Sequence, residues 1–416
     1  MSTPAKPAKP AKPAKAKRVN VRRPEVMERV QAEVEDHYRS EIVEKVRAAG
    51  GVFELGNTTV RLAKQFGFCY GVERAIDLAY AARRVFPEAN IYLIGEIIHN
   101  PEVNRQLSDM GILNLAGPNR DASIDDLGED DVVIVPAFGS ETSVMDRIAA
   151  QGCTLIDTTC GDVMSVWKRV RKYSSEARTS IIHGKSEHEE TLATASRALV
   201  TKGSHYLVLL TLADVDYVCD YIRKGGDRDD FLARFGAAAS EGFDPDLHLE
   251  TIGVANQTTM LKSETEEFQR RLESAVKDRD GETKAAESFA AFDTICGATQ
   301  ERQDALFEML ERKMDLLLVV GGYNSSNTTH LVEIGSDHLP TFFIRDSGCI
   351  KSLEEIVHFD LHQHEEVSGY VEKLSSDGPI VVGVTAGASC PANLIEETIL
   401  KVFELRGVTR EQVLAG

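Results

Sequence analysis

The chain has 416 residues, 42% apolar and 27% charged, enough for two or three domains with ordinary globular cores. Its net charge of −19 argues against nucleic acid as the main partner, because neutralising phosphates needs a basic face. Apolar runs such as 316–320 are strand-sized, well short of the roughly 18 residues of a membrane span, so no membrane partner is expected either.

Residues 1–23 carry eight Lys or Arg and no acid, leaving 39 basic against 66 acidic residues in the remainder. Positions 5–17 repeat Ala-Lys-Pro and then Ala-Lys, and proline at that density blocks both helix and strand. We therefore expect a disordered basic tail over 1–23. It lacks the apolar stretch of a secretory signal, which points to a bacterial cytoplasm and leaves a plastid open. Residues 24–49 follow as a helical extension, whose period buries Val26, Met27, Val30, Val34, Ile42, Val43 and Val46.

From residue 50 onward, strand and helix patterns alternate. Strands are expected at 58–63, 91–94, 132–136, 154–157, 180–183, 206–210, 252–255, 290–295, 316–320, 341–344 and 380–385. Helices are expected at 72–85, 163–177, 264–277 and 299–313. This is the pattern of an α/β protein with mainly parallel sheets. So many strands overfill one open sheet, so we divide the chain into three α/β domains, 50–151, 152–285 and 286–416. The charged, Gly-containing stretches near 223–250 and 278–288 read as surface insertions.

The chemistry gathers where the strands end, because parallel sheets present ligands to the loops that open onto helix N-termini. Asp157-Thr158-Thr159-Cys160-Gly161 recurs as Asp293-Thr294-Ile295-Cys296-Gly297, each time between an apolar run and an amphipathic helix. Cys69, in Gly67-Phe68-Cys69-Tyr70-Gly71, occupies the same kind of junction. A cysteine taken singly reads as a small buried hydrophobe, and Cys153, Cys219, Cys349 and Cys390 are assigned that role. Seven cysteines form no disulfide framework in such a chain, and without a Cys-x-x-Cys pair no local zinc ribbon is available. Cys69, Cys160 and Cys296 instead share a position where a helix N-terminus favours thiolate, the metal-binding form. Three thiolates suit zinc with an open position or an iron–sulfur cluster with one unliganded iron; all-thiolate ligation leans toward the latter.

Other strand-end loops carry compact donors. His99, His188, Ser325, Ser326, Asn327 and Ser389 read as an anion site, with Ser-Ser-Asn offering hydroxyls, an amide and consecutive backbone N–H groups. Asn324 to Asn327 alone would be an ordinary turn and helix cap; repetition across three units gives it meaning. Glu190, two residues after His188, is positioned to deliver a proton if its pKa is raised. His358, His362 and His364 have loosely metal-like spacing, but they lie in an acidic stretch and read as solvated.

These motifs together resemble the 4-hydroxy-3-methylbut-2-enyl diphosphate reductase family over about 57–402. The carrying residues include the run from Gly67 to Ile76, Gly95 to Pro101, both Asp-Thr-x-Cys-Gly stretches, His188 to Thr191 and Gln257-Thr258-Thr259. Asn324 to Asn327 and Thr385 to Ser389 complete the set. The helical extension and the Ala137-Phe138-Gly139 loop resemble the branch found in plants and cyanobacteria. The resemblance implies a trefoil of three α/β domains around one [4Fe–4S] cluster held by Cys69, Cys160 and Cys296. It further implies that His99, His188, Ser325, Ser326, Asn327 and Ser389 hold a diphosphate, that Thr258 meets the substrate hydroxyl and that Glu190 delivers the proton. The implied reaction is reductive dehydroxylation to isopentenyl and dimethylallyl diphosphate, with electrons from a donor of ferredoxin or flavodoxin type. Much of the family has histidine where Phe138 stands; we expect Lys185 or His183 to supply the missing donor, with the backbone at Gly139 and Ser140 as the fallback. An iron–sulfur Lewis-acid enzyme similar to quinolinate synthase, an iron–sulfur sensor and a structural zinc scaffold are the competing readings.

Overall fold

A computed structural model describes residues 17–117, 120–292, 294–371, 374 and 378–415. Three separate sheets account for the predicted strands. The first, wholly parallel, runs in the order Lys17–Arg18, Thr154–Asp157, Val132–Val135, Ile91–Leu93, Ile112–Asn114. The second, also parallel, is ordered Phe289–Ala291, Ile252–Asn256, Thr179–His183, Tyr206–Leu209. The third holds Thr341–Ile344, Leu316–Val320, Ile380–Ala386 and Thr58–Leu62 in parallel, with Val52–Leu55 antiparallel at its edge.

Helices cover both faces of these sheets, which is why their central strands read as unbroken apolar runs. All five residues of Leu316–Val320 are buried. Leu316, Leu318 and Val320 enter one core and Leu317 and Val319 the opposite one, as the two-residue period of a strand requires. The fold is thus a trefoil of three small α/β units.

The sheets do not divide the chain at the boundaries 151/152 and 285/286. Thr154–Asp157 belongs to the first sheet, Phe289–Ala291 to the second, and Val52–Leu55 and Thr58–Leu62 to the third, beside C-terminal strands. Each strand–cysteine–helix junction is therefore a passage from one unit to the next. Strand periodicity cannot reveal this, because pairing partners are fixed by contacts distant in sequence.

The helical extension forms as Pro24–Tyr38 and Glu41–Ala48, and of the expected positions Val30, Ile42, Val43 and Val46 are fully buried. Val26, Met27 and Val34 are only partly buried against the first core. The first helix packs on that core and the second on the third sheet's, so the extension straps two units together. The disordered-tail expectation for 1–16 lies outside the described residues. Over 17–23 it fails: Lys17–Arg18 adds a strand to the first sheet, and Val21 is 1% exposed.

The two insertions are likewise structural. Phe231, Phe235 and Phe243 from the 223–250 stretch fill the second core. The 278–288 stretch continues the helix Lys262–Ser288, broken only at Gly281. His358 sits on a two-stranded hairpin, Glu355–Asp360 with Glu365–Tyr370, half-buried and edge-on to Phe342 at 5.1 Å. His362 and His364, in the turn, are exposed as expected. Among the described residues no helix is long and apolar enough to cross a membrane.

Candidate active site

The three cysteines are built alike. Each is the N-cap of a helix: Cys69 of Tyr70–Val85, Cys160 of Gly161–Ser175, Cys296 of Gly297–Leu310. Each donates its backbone N–H to a neighbouring strand-end loop, at Ala388 (3.2 Å), Ala137 (2.8 Å) and Thr258 (3.2 Å) respectively. These bonds fix the direction in which each thiol projects. Asp293, at the head of the second repeat, lies outside the described residues.

Basic side chains tie the junctions to one another. Arg74, on the Cys69 helix, donates to the carbonyls of Thr158 and Thr159 beside Cys160, at 2.9 and 3.2 Å. Arg302, on the Cys296 helix, is 4% exposed and donates to the Gly67 carbonyl beside Cys69 at 2.6 Å. Arg169, on the Cys160 helix, stacks its guanidinium 3.3 Å over Phe292, four residues before Cys296. Sequence reasoning missed this cycle. Arg74 lay inside a quoted motif, but nothing local marked Arg302.

All three thiols open into one cavity of about 530 Å³, together with His99, His188, Glu190, Thr258, Ser325, Ser326, Asn327 and Ser389. These candidate site residues from the sequence thus line the same space, whereas Lys185 and His183 do not. The other four cysteines are buried in the cores, and all seven are free. Gly71 keeps the metal corner open: a Cβ there would stand 2.6 Å from Cys160 Sγ and 3.8 Å from Cys69 Sγ.

Thiolate stabilisation by helix dipoles alone does not hold. Burial raises the Cys160 thiol and pushes Cys296 up to about 12, even though Cys296 Sγ accepts the Thr299 N–H at 3.3 Å. Desolvating an anion in a closed cavity outweighs a partial charge worth about 1 kcal/mol. Three convergent thiols are a donor set suited to a metal group, and an iron–sulfur cluster fits its all-sulfur composition.

Glu190 lies at the bottom of the cavity, 3% exposed. Burial pushes its pKa up to about 7, against the opposing pull of Thr258, whose N–H and hydroxyl donate to its two oxygens at 2.6 and 2.9 Å. The carboxyl therefore exchanges a proton near neutrality. His188 caps the helix Glu189–Ala198, its Nδ1 accepting the Glu190 N–H at 3.1 Å. Burial, then the neighbouring His99 and Lys185, lowers its pKa to about 3. A neutral ring accepting at Nδ1 carries its proton on Nε2, so His188 is a donor there.

His99 is fixed by Glu96 Oε2 at 3.1 Å from Nδ1, with Asn324 bridging the pair. Burial opposes the Glu96 charge, but hydrogen bonds from His99 and Asn324 prevail and hold its pKa below the ordinary value. Among the described residues the opposite nitrogen, His99 Nε2, makes no hydrogen bond but faces Glu189 Oε2 at 3.5 Å, and Ser326 Oγ is buried without a partner. Ser325 caps the helix Ser326–Ser336, and Ser389 Oγ donates to the His99 carbonyl at 3.1 Å. Asn327 Oδ1 accepts the Ala388 N–H at 2.9 Å, joining the Ser-Ser-Asn loop to the Ser389 loop. The His188 Nε2–H and the Ser326 hydroxyl, neither engaged among the described residues, open onto this corner, as holding a polyanion requires.

Phe138 lines the cavity and stacks on His99, with centroids 4.7 Å apart and planes at 14°. Gly139 makes this turn: its φ is +83°, and a Cβ there would collide with Trp167 at 2.3 Å. His183 does not replace a donor here. It is buried in the second unit, with Nδ1 2.9 Å from Thr265 Oγ1 and its ring stacked on Phe268. Lys185 is exposed and is not among the residues lining the cavity, although its charge is felt at His188. Phe138 thus contributes packing that orients His99.

The family model for the LytB protein matches residues 60–403. The chain belongs to that family. A relative from Gloeobacter violaceus, a 4-hydroxy-3-methylbut-2-enyl diphosphate reductase, is 47% identical over 384 residues, covering 91% of this chain and 90% of the relative. The same enzyme from Thermosynechococcus vestitus is 45% identical, covering 92% and 93% of the two chains. Among solved structures, a Plasmodium falciparum E-1-hydroxy-2-methyl-but-2-enyl-4-diphosphate reductase superposes with a TM-score of 0.60 at 20% identity, covering 84% of this chain and 90% of that one. A structure of (E)-4-hydroxy-3-methyl-but-2-enyl diphosphate reductase gives 0.51 at 23% identity, covering 83% and 99%. These solved family members share the fold.

Proposed function

We propose that this protein reduces 4-hydroxy-3-methylbut-2-enyl diphosphate to isopentenyl and dimethylallyl diphosphate, the last step of the non-mevalonate isoprenoid route. The observation that carries the reading is one cavity combining three thiols, a buried carboxyl that titrates near 7 and unspent anion-binding donors. Full-length relatives bearing that enzyme's name support it. Cys69, Cys160 and Cys296 would hold one [4Fe–4S] cluster. When bound, such a cluster supplies electrons and an open iron acting as Lewis acid.

The chain's own residues supply the remainder. His188 Nε2–H, His99, Ser325, Ser326, Asn327 and Ser389 hold the diphosphate and so aim the allylic C–O bond toward the cysteines. Thr258 Oγ1 is hydrogen-bonded to Glu190 Oε2 at 2.9 Å, and with the carboxyl protonated it can accept from Glu190 while donating to the substrate hydroxyl. Glu190, protonated below about pH 7, returns its proton through this contact as the C–O bond breaks. The balance is R–OH plus two electrons and two protons giving R–H and water. Electrons come from a protein of ferredoxin or flavodoxin type, in a reducing compartment such as a bacterial cytoplasm or plastid.

The decisive experiment is anaerobic purification, iron and sulfide analysis, and turnover of the hydroxylated diphosphate with a strong reductant. Formation of both isoprenoid products is the expected result. An iron-free protein would overturn the cluster, and an iron–sulfur protein without product would favour a sensor or a non-redox Lewis acid.

A further inference from the structure

An external donor must bring its electrons close to the three thiols, and one face of the molecule is suited to receive it. The helix Gly161–Ser175 starts at Cys160 and carries Lys168, Arg169, Arg171 and Lys172 against a single acid, Asp162. That is a local reversal in a chain with 47 basic and 66 acidic residues. Its inward side is the apolar stripe Val163, Val166, Trp167, Val170 and Tyr173, so Lys168, Arg171 and Lys172 are left in solvent. Among the described residues no carboxylate pairs with Lys168 or Arg171; Lys172 alone has one, Glu176, at 3.6 Å. Unpaired cations on one face of an acidic protein mark a surface for an acidic partner.

Beside this stripe the surface is apolar. Tyr70, next to Cys69, is 72% exposed, Phe292 is 45% exposed and Met164 is 36% exposed. Each is tied to the Cys160 helix or its start: Gly71, after Tyr70, abuts Cys160 Sγ, Met164 lies one turn into that helix, and Arg169 of the helix stacks on Phe292. An apolar centre with a charged rim is the usual anatomy of a protein interface. The cysteines beneath are partly buried rather than enclosed, so a carrier seated there reaches them over a short distance.

We propose that the exposed side of the Gly161–Ser175 helix, with Tyr70, Met164 and Phe292, is the docking face for an acidic one-electron carrier protein. The inference rests on the reductase reading, which requires two electrons per turnover and hence two successive docking events by such a carrier. Basic residues orient the encounter and the apolar centre excludes water over the cysteines.

The test uses the full-length holoenzyme and the triple variant Lys168→Glu/Arg171→Glu/Lys172→Glu, with Lys313→Glu as a control remote from this face in sequence. Two readouts are needed: the Kd of an oxidised acidic [2Fe–2S] ferredoxin by calorimetry, and turnover driven by that ferredoxin or by reduced methyl viologen. Expected for the triple variant are a Kd and a ferredoxin KM each raised at least tenfold, with viologen-driven turnover retained and Lys313→Glu unchanged. A Kd and KM within twofold of the parent would overturn the docking face, and so would an equal loss of viologen-driven turnover. If the unmodified holoenzyme fails to turn over even with viologen, the reductase reading fails and this inference with it.

Discussion

The two ends of the cavity are built on opposite plans. At the metal corner one device is used three times: a strand end, a cysteine N-cap, and a cysteine N–H bonded to the next loop. At the anion corner, six polar residues arrive on four loops, and an aromatic ring occupies one wall. The first arrangement has no redundancy, since each thiol is one of three and backbone geometry aims it. The second spreads its work over many hydrogen bonds, so the loss of one donor is survivable.

The comparison breaks most visibly at the metal corner. Cys160→Ala removes one of three ligands; we expect iron content to fall to a small fraction and product formation to become undetectable. Iron analysis and the visible spectrum of anaerobic protein check this.

Glu190→Gln comes next, keeping iron while lowering turnover by roughly 10²–10⁴-fold, the range for loss of a positioned acid. In the parent enzyme, kcat/KM should hold below about pH 7 and decline above it, as the carboxyl loses its proton. Stability carries the same signature. Native Glu190 keeps its proton up to about 7, whereas an unfolded glutamate releases it near its ordinary value of 4.5. Stabilisation present below pH 4.5 is therefore lost by pH 7, on the order of 3 kcal/mol for the metal-free protein. Melting of metal-free Glu190→Gln should lack that slope.

Gly71→Ala probes backbone tolerance at the metal corner. With 2.6 Å between the new Cβ and Cys160 Sγ, we expect cluster loading to drop several-fold while secondary structure persists. Circular dichroism beside iron analysis separates the two effects.

The anion corner should respond more mildly. Phe138→His keeps an aromatic ring against His99 and adds a donor, so KM for the diphosphate should fall several-fold, the scale of about 1 kcal/mol for one hydrogen bond. Smallest of all is Lys185→Ala, with KM changed by less than about threefold, because screening weakens an exposed charge that does not line the cavity. A tenfold rise would restore Lys185 as a diphosphate ligand.

The site residues were legible in the sequence because each sits at a strand end, and strand ends are set by local periodicity and a following helix start. Spacing from His188 alone did not separate Glu190 from Glu187 and Glu189, and it was the family resemblance that singled it out; burial separates them physically, with Glu190 3% exposed and the other two in solvent. The substitute for a missing histidine was not legible. His183 alternates into the second core because it ends a strand buried throughout, and no local pattern announces Phe268 as its stacking partner.

The sequence by itself determined the α/β alternation and the candidate loops at the strand ends, since these follow from side-chain period and from what helix starts offer a ligand, while the resemblance supplied the roles proposed for their residues. Only the tertiary structure decided which strands share a sheet, and it moved Thr58–Leu62, Thr154–Asp157 and Phe289–Ala291 out of their assigned units. It alone brought Arg302 to Gly67, 235 positions away, and closed the ring of junctions. Pairing and closure depend on contacts between distant segments, whose free energy is gained only when the whole chain is assembled.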